Sequence, residues 1–512
     1  MSDQPKPQRA AFLVAAGILL SRASGLIRES VFAHYFGASD VADAFKAALR
    51  IPNFLQNLFG EGVLSASFIP VYAGLLAHEK KEEAGEVAGA VFAILSLVTS
   101  VLVLLGVLAT PLLIDAIAPG FAGGKRDLTV SLVRIFFPGA GLLVLSAWCL
   151  GILNSHRRFF LSYSIGVLWN LAMILAMLAS GSRSGEDSLA RIVAWASVAG
   201  SLAQFLAQLP VVLRLVPALR VQLSTSLASV RTVIRNFGPV FVSRGVVQLS
   251  AYIDSLLASL LPTGAVALLG YAQNVYLLPV SLFGMSISAS ELPEMSRAVG
   301  GNEEVAAYLR KRLTGGLRRI SFLVIPSVVA FVALGDMIAG ALFQRGKFTH
   351  ADAVYLWGIL AGSGVGLLAS TQGRLYSSTF YALKDTRTPL RFAIVRVILT
   401  TVLGYFSARN LPGLIGIGAI WGVAGLTASA GVSGWVEFAL LRHSLRRRIG
   451  TAPVGAAYLA RLWGSAIAAA AIAWAIKLEM PRLHPIVAAA ITLAPFGAVY
   501  LLLSGWKNLR KR

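Results

Sequence analysis

Apolar stretches long enough to cross a bilayer recur along the whole chain, separated by short polar or basic connections. The run AVFAILSLVTSVLVLLGVLATPLLIDAIA, residues 90–118, exceeds the roughly 18–20 residues that a membrane helix needs. A membrane barrel would show alternating segments of about ten residues instead. The pattern predicts an all-α, polytopic membrane protein with about fourteen transmembrane helices. The expected spans are 11–36, 41–76, 86–118, 128–153, 160–180, 189–216, 232–261, 265–296, 317–344, 353–382, 388–408, 413–442, 455–477 and 483–505. An even number places both termini on one side.

The connections set the orientation. With the N-terminus inside, the inner loops hold HEKKEE, NSHRR, RLVPALRVQLSTSLASVRTVIR, RKRLTGGLRR, LKDTRTPLR, RHSLRRR and the tail KNLRKR. The outer loops are FGASD, PGFAGGKRD, LLPTG and NLPG. About 27 Lys and Arg then fall inside and about 8 outside, a strong positive-inside bias that puts both termini in the cytoplasm. MSDQPKPQRA reads as a cytoplasmic tail rather than a cleaved signal. No connection is long enough for a soluble domain, so the function is expected within the membrane.

A weak internal repeat is visible. LFGEGVLSASFIP from Leu58 matches LFGMSISASELP from Leu282, and LNSHRRF from Leu153 matches LKDTRTP from Leu383. The offsets, 224 and 230 residues, correspond to six spans. The expected organisation is a six-helix lobe over 1–216, a second over 217–450, and two added helices with a basic tail over 451–512. Such repeats build transporters, whose halves rock about a central cavity.

Two spans carry charges where lipid would be expected. In SRASGLIRES, residues 21–30, Arg22, Gly25, Arg28 and Glu29 share one helical face. In the next span Asp43, Lys46, Arg50, Asn53 and Asn57 form a polar stripe running toward Glu61, opposite Phe45, Leu49, Phe54 and Leu55. Pro52 is expected to kink that helix. A charge at the bilayer centre costs a few kcal/mol, so these groups must pair or face water. Arg22 or Arg28 can pair with Asp43, and Lys46 with Asp43 or Glu61. The cations Arg22, Arg28, Lys46 and Arg50 outnumber Glu29 and Asp43, which favours a water-filled cationic cavity for an anionic group. Arginine suits the planar oxygens of phosphate and carboxylate. The second half offers Arg244, Gln248 and Asp254, then Gln273 and Asn274, with Glu291 and Glu294 expected to face inner-side water or basic loops.

Composition agrees with a membrane protein: 56% of residues are hydrophobic, 13% are charged, and mean hydropathy is +0.73. The net charge of +22 would suggest nucleic acid in a soluble chain. Here the basic residues sit in short loops, where they set topology and touch anionic lipid heads, so no nucleic-acid partner is expected. Cys149 reads as a small buried hydrophobe. Histidines 34, 78, 156, 350, 443 and 484 lack metal-ligand spacing, and GFAGGKRD lacks the form of a phosphate loop. No catalytic residue, metal or cofactor is expected, and the chain is not read as an enzyme.

The run SRASGLIRESVFAHYFGAS, then DAF and PNFLQNLFGEGVLSASFIPVY, resembles the start of the MurJ (MviN) family of lipid II flippases. GILNSHRRF at 151, YAQNVYLLPVSLFG at 271, LFQRGKFT at 342 and FYALKDTRTPL at 380 continue the resemblance over nearly the whole chain. It implies two six-helix lobes around a cationic cavity, with the last two helices beside a lipid groove. It implies lipid II, an undecaprenyl-pyrophosphate-linked muropeptide, as cargo, moved from the cytoplasmic to the periplasmic leaflet of the bacterial inner membrane. Gates are expected near FGASD and LLPTG outside, and near HEKKEE and NSHRR inside. The expected partners are lipid II, membrane lipids and cell-wall synthesis proteins, and the expected state is a monomer. The family's cavity positions fall on Arg22, Arg28, Glu29, Asp43 and Arg50, and Asn53 belongs to its PN pair. Two departures stand out: Gln56 and Asn274 occupy positions where many members carry arginine. Lys46 and Arg244 are the candidates to supply that charge. The alternative is a flippase for another polyprenyl-linked oligosaccharide of the same superfamily.

Overall fold

The computed structural model describes residues 7–298, 301–481 and 483–505; the side chains of residues 7–15, 61, 239–240 and 242–251 fall outside the description. The basic tail KNLRKR, the first six residues, and the side chains of Glu61, Arg244 and Gln248 therefore lie outside the described residues. Among the described residues every regular element is helical. Twelve helical segments are long and apolar enough to cross a membrane. The two other expected spans coincide with α1 (Pro7–Phe36) and α11 (Ala228–Ser259), both of membrane length and both partly outside the described side chains.

The chain divides into two compact units at residues 256 and 257. The first contains α1, α2 (Asp40–Phe59), α3 (Glu61–Ser67), α4 (Ile69–Ala77), α5 (Lys81–Leu108), α6 (Thr110–Ile117), α7 (Gly123–Ser155), α8 (Phe159–Ser164), α9 (Gly166–Ser180), α10 (Glu186–Leu215) and most of α11. The second contains α12 (Ala265–Pro279), a π-helical segment Val280–Met285, α13 (Ser286–Ser296), α14 (Asn302–Phe343), α15 (His350–Ala382), α16 (Arg387–Arg409), α17 (Leu411–Leu414), α18 (Gly422–Ile449), α19 (Ala456–Leu478) and α20 (Pro485–Ser504). The lobe boundary expected at 216/217 falls in the connection between α10 and α11.

Within the first unit, a core of Phe68, Tyr72, Val87, Trp148, Ile152 and Phe205 joins α3, α4, α5, α7 and α10. The Trp148 indole N–H donates to the Ala88 carbonyl at 3.1 Å, so the largest buried side chain leaves no polar atom unmet. Cys149 lies in the same core, fully buried, as its apolar setting suggested. In lipid the apolar effect does not drive helices together, so close packing and hydrogen bonds carry this task.

The expected second span is not one kinked helix. It continues unbroken through Pro52 and is interrupted at Gly60. A Cβ at Gly60 would stand 2.2 Å from the Gln56 carbonyl oxygen, so only glycine permits this turn. The second LFG copy departs from α geometry at the same motif, since Leu282–Gly284 lie within the π-helical segment. π-bulges of this kind concentrate at functional positions. The other repeated motif is also structural: Arg157 and Lys384 both adopt left-handed backbone just past a helix end, with φ of 60° and 59°. Arg158 N–H reaches Leu153 O, and Asp385 N–H reaches Phe380 O, closing the same wide C-terminal turn.

The basic tract RKRLTGGLRR was expected to be an inner loop. It is instead helical, because α14 begins at Asn302 and runs to Phe343. Its arginines have carboxylate partners: Arg312 lies 2.8 Å and Arg319 3.5 Å from Glu291, which is buried. Glu294 approaches Arg297 and Arg312.

Asp385 explains the FYALKDTRTPL motif. One carboxylate oxygen accepts the backbone N–H groups of Arg387 and Thr388, both at 3.0 Å, at the start of α16. The other accepts the Thr388 hydroxyl at 2.7 Å and meets Arg448 at 2.7 Å. These hydrogen bonds, the Thr388 hydroxyl's first, hold its pKa down at about 2, against an ordinary 3.8. A depressed carboxylate stabilises the fold above its unfolded pKa and loses that contribution as pH falls through the folded value. The melting temperature of Asp385→Asn is therefore expected below wild type at pH 7, with the gap closing between about pH 4 and pH 2. A gap unchanged at pH 2 would assign the loss to something other than the ionised carboxylate.

Candidate functional site

The charged face of α1 meets α2 and α9 at Glu29. Glu29 is 3% exposed although it sits in the middle of an apolar span. Its two oxygens are taken by different cations: Arg28 at 2.6 Å and the Lys46 ammonium, which forms a tight buried ion pair. Arg28 also donates to Asn170 Oδ1 at 3.0 Å, and its guanidinium stacks over the Trp169 ring at 4.6 Å. Asn170 in turn donates to Ser24 Oγ at 2.8 Å, one turn before Arg28 on α1. The Trp169 N–H donates to Ser197 Oγ at 2.9 Å, which ties the stacking ring to α10. Lys46 lies over the Phe32 ring at 4.4 Å. Arg28 is thus held in one orientation by three groups, which suits a guanidinium that must present its remaining donors to a planar anion.

Arg22 stands two turns along the same helix. It is exposed and makes no hydrogen bond or ion pair among the described residues. Arg28 and Lys46 therefore share one carboxylate, with Arg22 further along the same helix.

Asp43 has a different partner from those anticipated. The Lys125 ammonium, at the start of α7, is 2.7 Å from Asp43 and 2.9 Å from Asp40, and lies over the Phe121 ring at 4.4 Å. Lys46, one of the anticipated partners, holds Glu29. The reason is position: Asp43 occupies the first turn of α2, where the chain end of α7 arrives, whereas Lys46 points one turn further in, toward α1. The signal in sequence was GGKRD, a lysine at the same membrane end as FGASD. Removing Lys125 should leave a nearly fully buried carboxylate without its closest cation, at a cost of about 1.5–3 kcal/mol. Lys125→Ala is expected to lower the melting temperature, and Asp43→Asn on that background to recover part of the loss. Strictly additive losses in the double-mutant cycle would dissociate the two residues.

The rest of the stripe continues toward Gly60. Tyr252 on α11 donates its hydroxyl to the Arg50 carbonyl at 2.5 Å, and the Asp254 carboxylate acts on the Arg50 guanidinium. Asp254 was noted in the sequence but not as a partner of Arg50. Asn53 and Gln56 are half-buried and make no side-chain hydrogen bond among the described residues. In the second unit Asn274 donates to its own helix, at Gly270 O, 3.0 Å away. So Arg28, Glu29 and Lys46 form one cluster, with Arg22 two turns away on α1; Asp43 belongs to the Lys125 pair and Arg50 to the Asp254 group.

The family model "Lipid II flippase MurJ" matches residues 32–493. A lipid II flippase MurJ of Burkholderia cenocepacia is 31% identical over 448 residues, covering 86% of this chain and 84% of its own. A probable lipid II flippase MurJ of Rhizobium meliloti is 32% identical over 440 residues, covering 84% and 79%. In fold, the chain is similar to a solved lipid II flippase MurJ in an inward closed conformation, with TM-score 0.79 and 23% identity over 97% of this chain and 99% of that one. On the strength of the family match and these relatives, this chain belongs to the lipid II flippase MurJ family.

Proposed function

We propose that this protein moves lipid II from the cytoplasmic to the periplasmic leaflet of the bacterial inner membrane, by alternating exposure of the Glu29-centred site. The observation that carries the reading is Arg28: a guanidinium inside an apolar span, held by Glu29, Asn170 and Trp169, beside an open Arg22. A pyrophosphate entering apolar surroundings loses its water, and such a preset cationic group replaces it. Lys46 takes part by charging the cluster, which offsets the neutral Gln56 and Asn274. The basic loops support an orientation with both termini in the cytoplasm. The chain acts as a transporter.

The test is lipid II exposure on the outer leaflet of cells depleted of their own flippase and expressing this chain. Restored exposure supports the reading. Well-inserted protein that leaves lipid II inside contradicts it and favours another polyprenyl-linked oligosaccharide.

A further inference from the structure

α7 carries an arginine that the Glu29 cluster does not use. Arg134 lies eleven residues into the helix, about 16 Å along it from Gly123. Its side chain is exposed, with no hydrogen bond or ion pair among the described residues. Leu132, Val133, Phe136 and Phe137 on the neighbouring face are buried. The exposed face, with Arg126, Asp127, Val130, Ser131, Arg134 and Ile135, lines a recess of about 460 Å³. Arg126 is already engaged by Asp115 through two hydrogen bonds, at 2.8 and 3.0 Å. Asp127 stands two turns from Arg134. Arg134 is therefore the recess's open cation, with the Ser131 hydroxyl three residues before it as a neutral donor on the same face.

Depth gives the second observation. α1 and α2 are joined by three residues, 37–39, and Lys125 at the start of α7 binds Asp40 and Asp43 at the start of α2. The three helices thus share one end. At 1.5 Å per residue from that end, Lys46 stands about 9 Å in, Arg28 about 12 Å, Arg50 about 15 Å, Arg134 about 16 Å and Arg22 about 21 Å. These five cations lie within about 12 Å of one another in depth, with Arg134 between Arg28 and Arg22. An unpaired arginine is costly against hydrocarbon at this depth, and it persists where it faces water or an anion.

The geometry points to Arg134 as a further substrate-binding residue, one that takes a phosphate or pyrophosphate oxygen from α7. The inference rests on the proposed reading of a pyrophosphate-linked cargo. A guanidinium can grip two oxygens of one phosphate at once, which a lysine cannot reproduce.

The experiment uses the full chain in nanodiscs of neutral phospholipid and measures binding of radiolabelled lipid II. Undecaprenyl pyrophosphate, undecaprenol and inorganic pyrophosphate serve as competitors. Arg134→Ala and Arg134→Gln are expected to weaken lipid II binding at least tenfold, and Arg134→Lys by less, with melting temperatures near wild type because the side chain is exposed. Undecaprenol should compete poorly against wild type. Competition by inorganic pyrophosphate would show that the free group suffices; competition by the lipid form alone would show that the anchored group is required. Either pattern, lost in Arg134→Ala, supports the assignment. Wild-type affinity and an unchanged competitor profile in Arg134→Ala and Arg134→Gln would overturn it while leaving the cargo in place. Arg134-dependent binding of undecaprenyl pyrophosphate without lipid II binding would overturn the cargo and keep the residue.

Discussion

Glu29→Ala is expected to be the most damaging single substitution in the charged cluster. It leaves Arg28 and Lys46, both mostly buried, without the carboxylate they share. Breaking a buried ion pair by removing one partner costs about 3–5 kcal/mol, because the remaining charge stays desolvated. Here two charges are left, and they repel each other. Transport should fall to background as well, since Arg28 loses the group that fixes its direction. Lys46→Met on the Glu29→Ala background removes one of the orphaned charges and should restore more than half of the lost stability. It should not restore transport. Thermal unfolding of the purified variants reads the first effect and lipid II exposure the second. A Glu29→Ala protein that melts with wild type would show that Glu29 does not hold the cluster together.

Gly60→Ala carries the second large effect. The added methyl would sit 2.2 Å from the Gln56 carbonyl oxygen, a backbone atom that cannot swing aside. At Gly284, the matching glycine of the other LFG copy, the nearest atom is a Thr371 methyl at 2.8 Å, which has more room to yield. Overpacking of this kind costs about 1–3 kcal/mol, and Gly60→Ala should lie at or above the top of that range. Gly284→Ala should be milder. The reverse order of melting temperatures would show that the break at Gly60 is not sterically enforced.

Much of the architecture was readable because hydropathy and length alone identify membrane helices. The charged face of α1 was also readable, since Arg22, Arg28 and Glu29 recur at helical spacing within an apolar run. What escaped the reading shares one physical cause: partners far apart in sequence. Lys125 and Asp43 are separated by 82 residues, and Arg28 and Asn170 by 142, so neither pair leaves a local periodic trace. The position of the break in the second span followed from contact rather than propensity. Pro52 is the stronger helix breaker in the abstract, yet the chain turns where Gly60 lets a carbonyl come close. The basic tract of α14 failed for another reason. Hydropathy ends where charge begins, but the helix continues, because Arg312 and Arg319 find Glu291.

Arg28, held by Glu29 and Trp169, is the residue proposed to carry the head group of lipid II across the membrane. The most direct measurement is the rate at which purified chain, reconstituted in vesicles with lipid II, brings that lipid to the opposite leaflet, compared with Arg28→Ala at equal insertion. Transport by wild type is expected, with a drop of at least about tenfold in the variant, from loss of one charge-assisted contact of about 1.5–3 kcal/mol. Equal rates in the two proteins would contradict it.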